Sequence, residues 1–117
     1  LLLGLKIETI QGLENCEEIL SVPGIGFAEM GPGDMSMSMK IKRDSNLPRE
    51  LQFVDPRLEQ ASVRVKNACD KNGVKFLENG NKDNIKKVID SGARVIAGQN
   101  QEAARIGRKY TKRQMKV

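Results

Sequence analysis

Four apolar runs, each followed by a segment of helical periodicity, constrain this chain more than any other feature. The runs are Leu2 to Ile7, Ile25 to Met30, Val74 to Leu77 and Arg94 to Ala97. Each is of strand length, and regular alternation with helices is the pattern of parallel βα units, because parallel neighbours need a crossover that a helix supplies. After the first run, Leu13, Cys16, Ile19 and Leu20 share one helical face, which Pro23-Gly24 ends. The next helix starts at Asp55, able to cap free amides, and Pro56, suited to a first turn. Leu58, Ala61, Val65, Ala68 and Cys69 form its apolar stripe, and Asn72-Gly73 closes it. Asn81 is the expected cap of a third helix, with Ile85, Val88 and Ile89 facing the sheet and Gly92 as its left-handed stop. A fourth spans about Gln101 to Tyr110, with Ala103, Ala104 and Ile106 inward. Met35 to Val54 mixes methionine, charge, Asn46 and Pro48. It is expected to be a long irregular connection, either covering an active site or standing as a disordered surface insertion.

The expected fold class is α/β: a partial (β/α)8 TIM barrel of about four βα units. A complete barrel takes roughly 250 residues, and 117 fall well short, so a barrel implies a fragment. The opening run Leu1-Leu2-Leu3-Gly4-Leu5 reads as the edge of a strand and is too short for a membrane span. It also lacks the cationic start of a signal peptide, and the expectation is a soluble, cytoplasmic protein with no membrane partner. Cys16 and Cys69 form no CxxC pair, so they are expected to be reduced core residues carried on helices. No repeat, linker or composition shift marks a second domain.

Histidine is absent, which excludes histidine metal ligands, a Ser-His-Asp triad and a histidine base from this segment. Chemistry here must use carboxylates, lysines, backbone amides or a metal. A formal net charge of +5 favours anionic partners of any kind. The basic stripe Arg105, Arg108, Lys109, Lys112, Arg113 and Lys116 could neutralise phosphates, as a nucleic-acid-binding module would. With only Tyr110 for stacking it reads better as a solvated face, and no nucleic-acid partner is expected.

Ligands of parallel βα proteins bind beyond the carboxyl ends of the strands. Glu8 follows the first run directly, and Asp34 lies a few residues past the second. Two carboxylates on one rim suit a hard cation such as Mg²⁺ or Mn²⁺. On residues alone a second reading stands beside this one, with Glu8 a first-turn acid of the following helix and Asp34 part of a turn. Gly31-Pro32-Gly33-Asp34 is equally open: an anion-binding nest or an ordinary Gly-Pro turn.

Lys6-Ile7-Glu8-Thr9, Pro23-Gly24-Ile25 and Gly31-Pro32-Gly33-Asp34-Met35-Ser36 resemble the metal-site segments of HpcH/HpaI-type aldolases. Val74-Lys75-Phe76-Leu77 resembles that family's seventh strand, Val95-Ile96-Ala97-Gly98 its eighth, and Glu102-Ala103-Ala104-Arg105-Ile106-Gly107 the helix that follows. The resemblance implies that residues 1–117 are the C-terminal half of a barrel domain. It implies a class II, divalent-metal-dependent aldolase, a carbon-carbon lyase working on a pyruvate-type 2-oxo acid through a metal-stabilised enolate. Glu8 and Asp34 would be the ligands of Mg²⁺ or Mn²⁺. The Gly33 and Asp34 amides would hold the substrate carboxylate, and Lys6 would either meet substrate anions directly or mark a branch that handles a different substrate. Lys6 stands where better-known relatives have glutamine, and Lys40 where many have glycine. The family's catalytic arginine and histidine-based acid/base belong to the other half, so no catalytic residue is assigned here and the fragment alone is expected to be inactive. The full-length enzyme is expected to be a homo-oligomer. Two further readings are a citrate-lyase β-subunit-like enzyme acting on an acyl-CoA thioester and a non-catalytic half-barrel remnant. The remnant would pair with a copy of itself or with the missing half, using Met30, Met35, Met37 and Met39, which could otherwise pack over the barrel mouth.

Overall fold

The computed structural model describes residues 1–98 and 100–114. It divides into two compact units, Leu1–Phe76 and Leu77–Val117. The first carries strand β1 (Leu3–Ile7), helices α1 (Ile10–Glu14) and α2 (Cys16–Leu20), strand β2 (Ile25–Met30), helix α3 (Pro32–Ser38), a 3-10 turn (Arg49–Leu51) and helix α4 (Pro56–Asn72). Strand β3 (Lys75–Gly80) begins in it. The strands are parallel, with Leu5 opposite Ala28, Lys6 opposite Glu29 and Ile7 opposite Met30, then Ala28 opposite Phe76. The stripe expected on α4 is buried in full, Leu58, Ala61, Val65, Ala68 and Cys69 among them, and α4 packs on β2 and α2. Ala28, Cys16, Leu20 and Phe76 complete this core. Fully burying such side chains is worth about 1.5 to 3 kcal/mol for each large one.

Local chemistry explains where this unit departs from expectation. The first helix is broken at Asn15, whose side-chain amide donates to the Gln11 carbonyl at 2.8 Å and competes with the helical ladder. More of the chain between Met35 and Val54 is ordered than expected, because Pro32 starts α3 and buries Met35 and Ser36. The Ser36 hydroxyl is absorbed by donating to the Gly33 carbonyl at 2.6 Å. Beyond α3, Lys40 has φ 54°. The Ile41 amide returns to the Ser36 carbonyl at 2.8 Å and the Lys40 amide to the Met37 carbonyl at 3.0 Å. This crossed pair of bonds is the helix stop that glycine usually serves, and Lys40 fills the left-handed position.

The second unit holds the rest of β3, helix α5 (Ile85–Asp90), strand β4 (Val95–Gly98) and helix α6 (Gln101–Tyr110). β3 and β4 are parallel, Leu77 opposite Val95 through Gly80 opposite Gly98. Asn81 caps the turn that leads into α5, and the Ile85 amide donates to its carbonyl at 2.9 Å. Its Oδ1 accepts from the Asp83 and Asn84 amides while Asn84 Oδ1 accepts from the Asn81 amide, a closed turn that delays the helix to Ile85. On α6, Ala103 is buried and Ile106 half-buried, but Ala104 is exposed. The inward line runs through Gly107 instead, where a Cβ would come within 3.2 Å of Ile85. Arg105, Arg108, Lys109, Lys112 and Arg113 are exposed, and Lys116 lies outside the described residues.

Two outcomes test these assignments. Lys40→Gly removes a left-handed strain of about 1 kcal/mol but adds chain entropy of similar size, so urea unfolding should shift little or towards greater stability. Lys40→Val, β-branched in the same conformation, should lose about 1 to 2 kcal/mol. The second outcome concerns Arg64 on α4, which donates to both oxygens of Glu17 at 3.0 Å and to the Glu14 carbonyl at 3.1 Å. The Arg64 guanidinium pulls the Glu17 carboxyl down to about 2. A depressed carboxyl stabilises the fold above its unfolded value of about 4.3, and that stability is lost as pH falls through the folded value. Wild type should therefore exceed Glu17→Gln in thermal midpoint at neutral pH, with the gap closing between pH 4.5 and 2.

Candidate functional site

The parallel pairing of β1 and β2 carries both chain segments out at the same end. Ile7 and Met30, the last residues of the two strands, lie opposite each other, and the Gly31 amide donates to the Ile7 carbonyl at 3.0 Å. Glu8 and residues 31–34 therefore leave adjacent strands at one carboxyl rim. A second tie follows: the Ile10 amide donates to Ser38 Oγ at 2.9 Å, fastening the start of α1 to the end of α3. The segments bearing Glu8 and Asp34 are thus held together at two points.

The capping role open to Glu8 is taken by Thr9, whose Oγ1 accepts from the Gly12 amide at 3.0 Å. No acid lies in the first turn of α1. The Glu8 carboxylate instead lies against Gly31, where a Cβ would fall 2.7 Å from Oε1 and 3.0 Å from Cγ. Glycine at 31 is the space that the carboxylate uses. Asp34 is exposed in the first turn of α3, not in a loop turn, a favourable place for an acid. Over Gly33 the space is open to 4 Å.

Lys6 enters the same rim from β1. Its ammonium lies 3.0 Å from Glu8 Oε1 and 3.8 Å from Glu29 Oε1. The hydrogen bond to Glu8, then the charges of Glu29, Glu8 and Asp34, raise the Lys6 pKa above its ordinary value. Three carboxylates thus act on one ammonium. Glu29 had no role in the sequence reading, although a charge inside the apolar run Ile25 to Met30 is a signal that could have found it. Burial also raises the Glu78 carboxyl on β3.

Among the described residues no group of three or more histidine, cysteine, aspartate or glutamate side chains converges to hold a metal. A cation at this rim would rest on Glu8 and Asp34 and complete its shell with water or substrate oxygens, an arrangement Mg²⁺ commonly adopts. The hard oxygen donors and the space at Gly31 fit that demand. Cys16 and Cys69 are free, buried thiols whose pKa burial raises, which makes them packing groups. Tyr110, the one aromatic of the basic stripe, donates to Asp90 at 2.9 Å and lies under the Lys86 ammonium.

The sequence profile of a family described as HpcH/HpaI aldolase/citrate lyase matches residues 1–101. No curated protein sequence matches the chain. Among solved structures, an HpcH/HpaI aldolase from Desulfitobacterium hafniense DCB-2 is similar with a TM-score of 0.67 and 23% identity, covering 95% of this chain and 40% of that one. Macrophomate synthase is similar with a TM-score of 0.67 and 25% identity, over 93% of this chain and 36% of that one. A citrate lyase beta subunit from M. tuberculosis, complexed with oxaloacetate and magnesium, gives 0.69 at 12% identity, over 92% of this chain and 51% of that one. The chain therefore spans about half the length of these structures or less. The likeness bears out the α/β class and the succession of parallel βα units.

Gly31→Ala tests the geometry of the rim. The new methyl group must push the Glu8 carboxylate aside, which a flexible side chain permits without unfolding. The circular dichroism spectrum should be unchanged, while Mn²⁺ affinity measured by calorimetry falls by roughly tenfold or more, the usual effect of disturbing how a ligand is held.

Proposed function

The chain belongs to the HpcH/HpaI aldolase/citrate lyase family, and we propose that it carries the acidic metal rim of a class II aldolase, a carbon-carbon lyase acting on a pyruvate-type 2-oxo acid. The observation behind this reading is the emergence of Glu8 and Asp34 at one carboxyl rim, with Gly31 making room for the Glu8 carboxylate. In this reading residues 1–117 are the C-terminal half of a barrel domain, and the whole enzyme is a cytoplasmic homo-oligomer with no nucleic-acid or membrane partner. Among the described residues no helix is long and apolar enough to cross a membrane.

Glu8 and Asp34 are the proposed holders of Mg²⁺ or Mn²⁺. Such an ion would supply Lewis-acid stabilisation of the negative charge that develops on a keto oxygen when the neighbouring carbon bond breaks. The chain's other contributions concern binding and charge. The amides of Gly33 and Asp34 are the proposed holders of the substrate carboxylate, and nothing lies within 4 Å of where a Gly33 side chain would stand. Lys6 sets a positive charge among the carboxylates, which favours approach of an anionic substrate. No residue of this segment is assigned as general acid or base, and in this reading both come from the other half of the enzyme.

Calorimetry with Mn²⁺ tests the metal assignment on the 117-residue chain itself. Wild type should bind weakly, and Glu8→Gln and Asp34→Asn should each reduce affinity at least tenfold with circular dichroism unchanged. In the complete enzyme the same substitutions should lower pyruvate release at least hundredfold, about 2.7 kcal/mol of lost transition-state stabilisation. The 117-residue chain alone should release little or no pyruvate. Folded Glu8→Gln that binds Mn²⁺ as wild type does would refute the assignment, and turnover of acyl-CoA thioesters in preference to oxo acids would move the enzyme to the citrate-lyase branch.

A further inference from the structure

Glu29 is a charged residue within a strand whose other members are apolar or glycine, and its side chain is only 26% exposed. An acid so placed needs a partner. Its partner is Lys6, directly across the β1/β2 ladder, with the ammonium 3.8 Å from Glu29 Oε1 and 3.0 Å from Glu8 Oε1. One ammonium is therefore shared between two carboxylates with different prospects. Glu8 lies at the rim beside residues 31–34, whereas Glu29 lies two positions back along β2, before the chain turns into that segment. The set of acids here also falls short of a three-acid metal group.

The competition is simple electrostatics. A divalent cation and the Lys6 ammonium both seek the Glu8 carboxylate, so any group that attracts the ammonium elsewhere strengthens the cation's hold. Glu29 is such a group, because it offers a second anion within reach of the same flexible four-carbon stem. We propose that Glu29 is a positioning residue: the Lys6 ammonium rests on Glu8 at 3.0 Å, and when a divalent cation takes that carboxylate Glu29, 3.8 Å away, receives the displaced ammonium, so that it acts through Lys6 and not as a ligand. The inference rests on the metal reading above. It also assigns a purpose to lysine at position 6, which keeps the acidic rim from carrying an unbalanced negative charge.

A double-mutant cycle tests it, because only a residue acting through Lys6 loses its effect when Lys6 is gone. Free Mn²⁺ would be counted by electron paramagnetic resonance with wild type, Glu29→Gln, Lys6→Met, the double variant and Glu8→Gln. The salt would be about 0.15 M, where long-range fields are screened within about 8 Å. Glu29→Gln should weaken Mn²⁺ binding roughly two- to fivefold, the range for one exposed ion pair, and Lys6→Met should tighten it by a similar factor. In the Lys6→Met background the Glu29→Gln loss should shrink to less than half. Circular dichroism on each variant confirms folding. An equal loss in both backgrounds, or no loss in either, would overturn the role of Glu29 while leaving the metal site standing. Wild type that binds no Mn²⁺, or Glu8→Gln that binds as well as wild type, would overturn the metal reading and this inference with it.

Discussion

The parallel register of β1 and β2 is the constraint on which the candidate site depends. Because Ile7 meets Met30 and the Gly31 amide continues the ladder to the Ile7 carbonyl, Glu8 and the segment bearing Asp34 leave the sheet together. A shift of one residue would turn every side chain of β1 to the other face and would part Lys6 from Glu29. The register is secured from below by packing. The α4 stripe lies on β2, and Ala28 and Phe76 are buried with it, so slipping either strand would expose that apolar surface to water.

On that frame the chemistry is one of charge. Without histidine the segment has carboxylates as its hard donors and lysine as their balance. At the rim one ammonium lies near Glu8 and Glu29 and feels Asp34 as well, so the acids are partly neutralised within the chain. Exposure keeps each pair weak. The chain belongs to the HpcH/HpaI aldolase/citrate lyase family.

The periodic parts were the most legible. The α4 stripe from Leu58 to Cys69, the cap at Asp55 and the left-handed stop at Gly73 follow from rules that act within one helical turn, and each is found as expected. Short polar residues were less legible, since they have several local partners to choose among. Asn15 breaks a helix by bonding Gln11, and Asn84, which had no expected role, returns its side chain to the amide of the capping residue Asn81. The length of α3 was missed for a related reason: Met35 and Ser36 carry no periodic signal, and their helix is held by burial and by the crossed bonds at Lys40.

The sequence alone determined the alternation of strands and helices, the absence of histidine from these 117 residues, and the two acids just past consecutive strands, because these depend on residue types and short spacings. It left open whether Glu8 belongs to the start of the following helix. Only the tertiary structure decided that, by giving the cap to Thr9 and the space beside Gly31 to the Glu8 carboxylate. It alone brought Glu29 across from Lys6, since strand register depends on how buried faces pack and cannot be read along one strand.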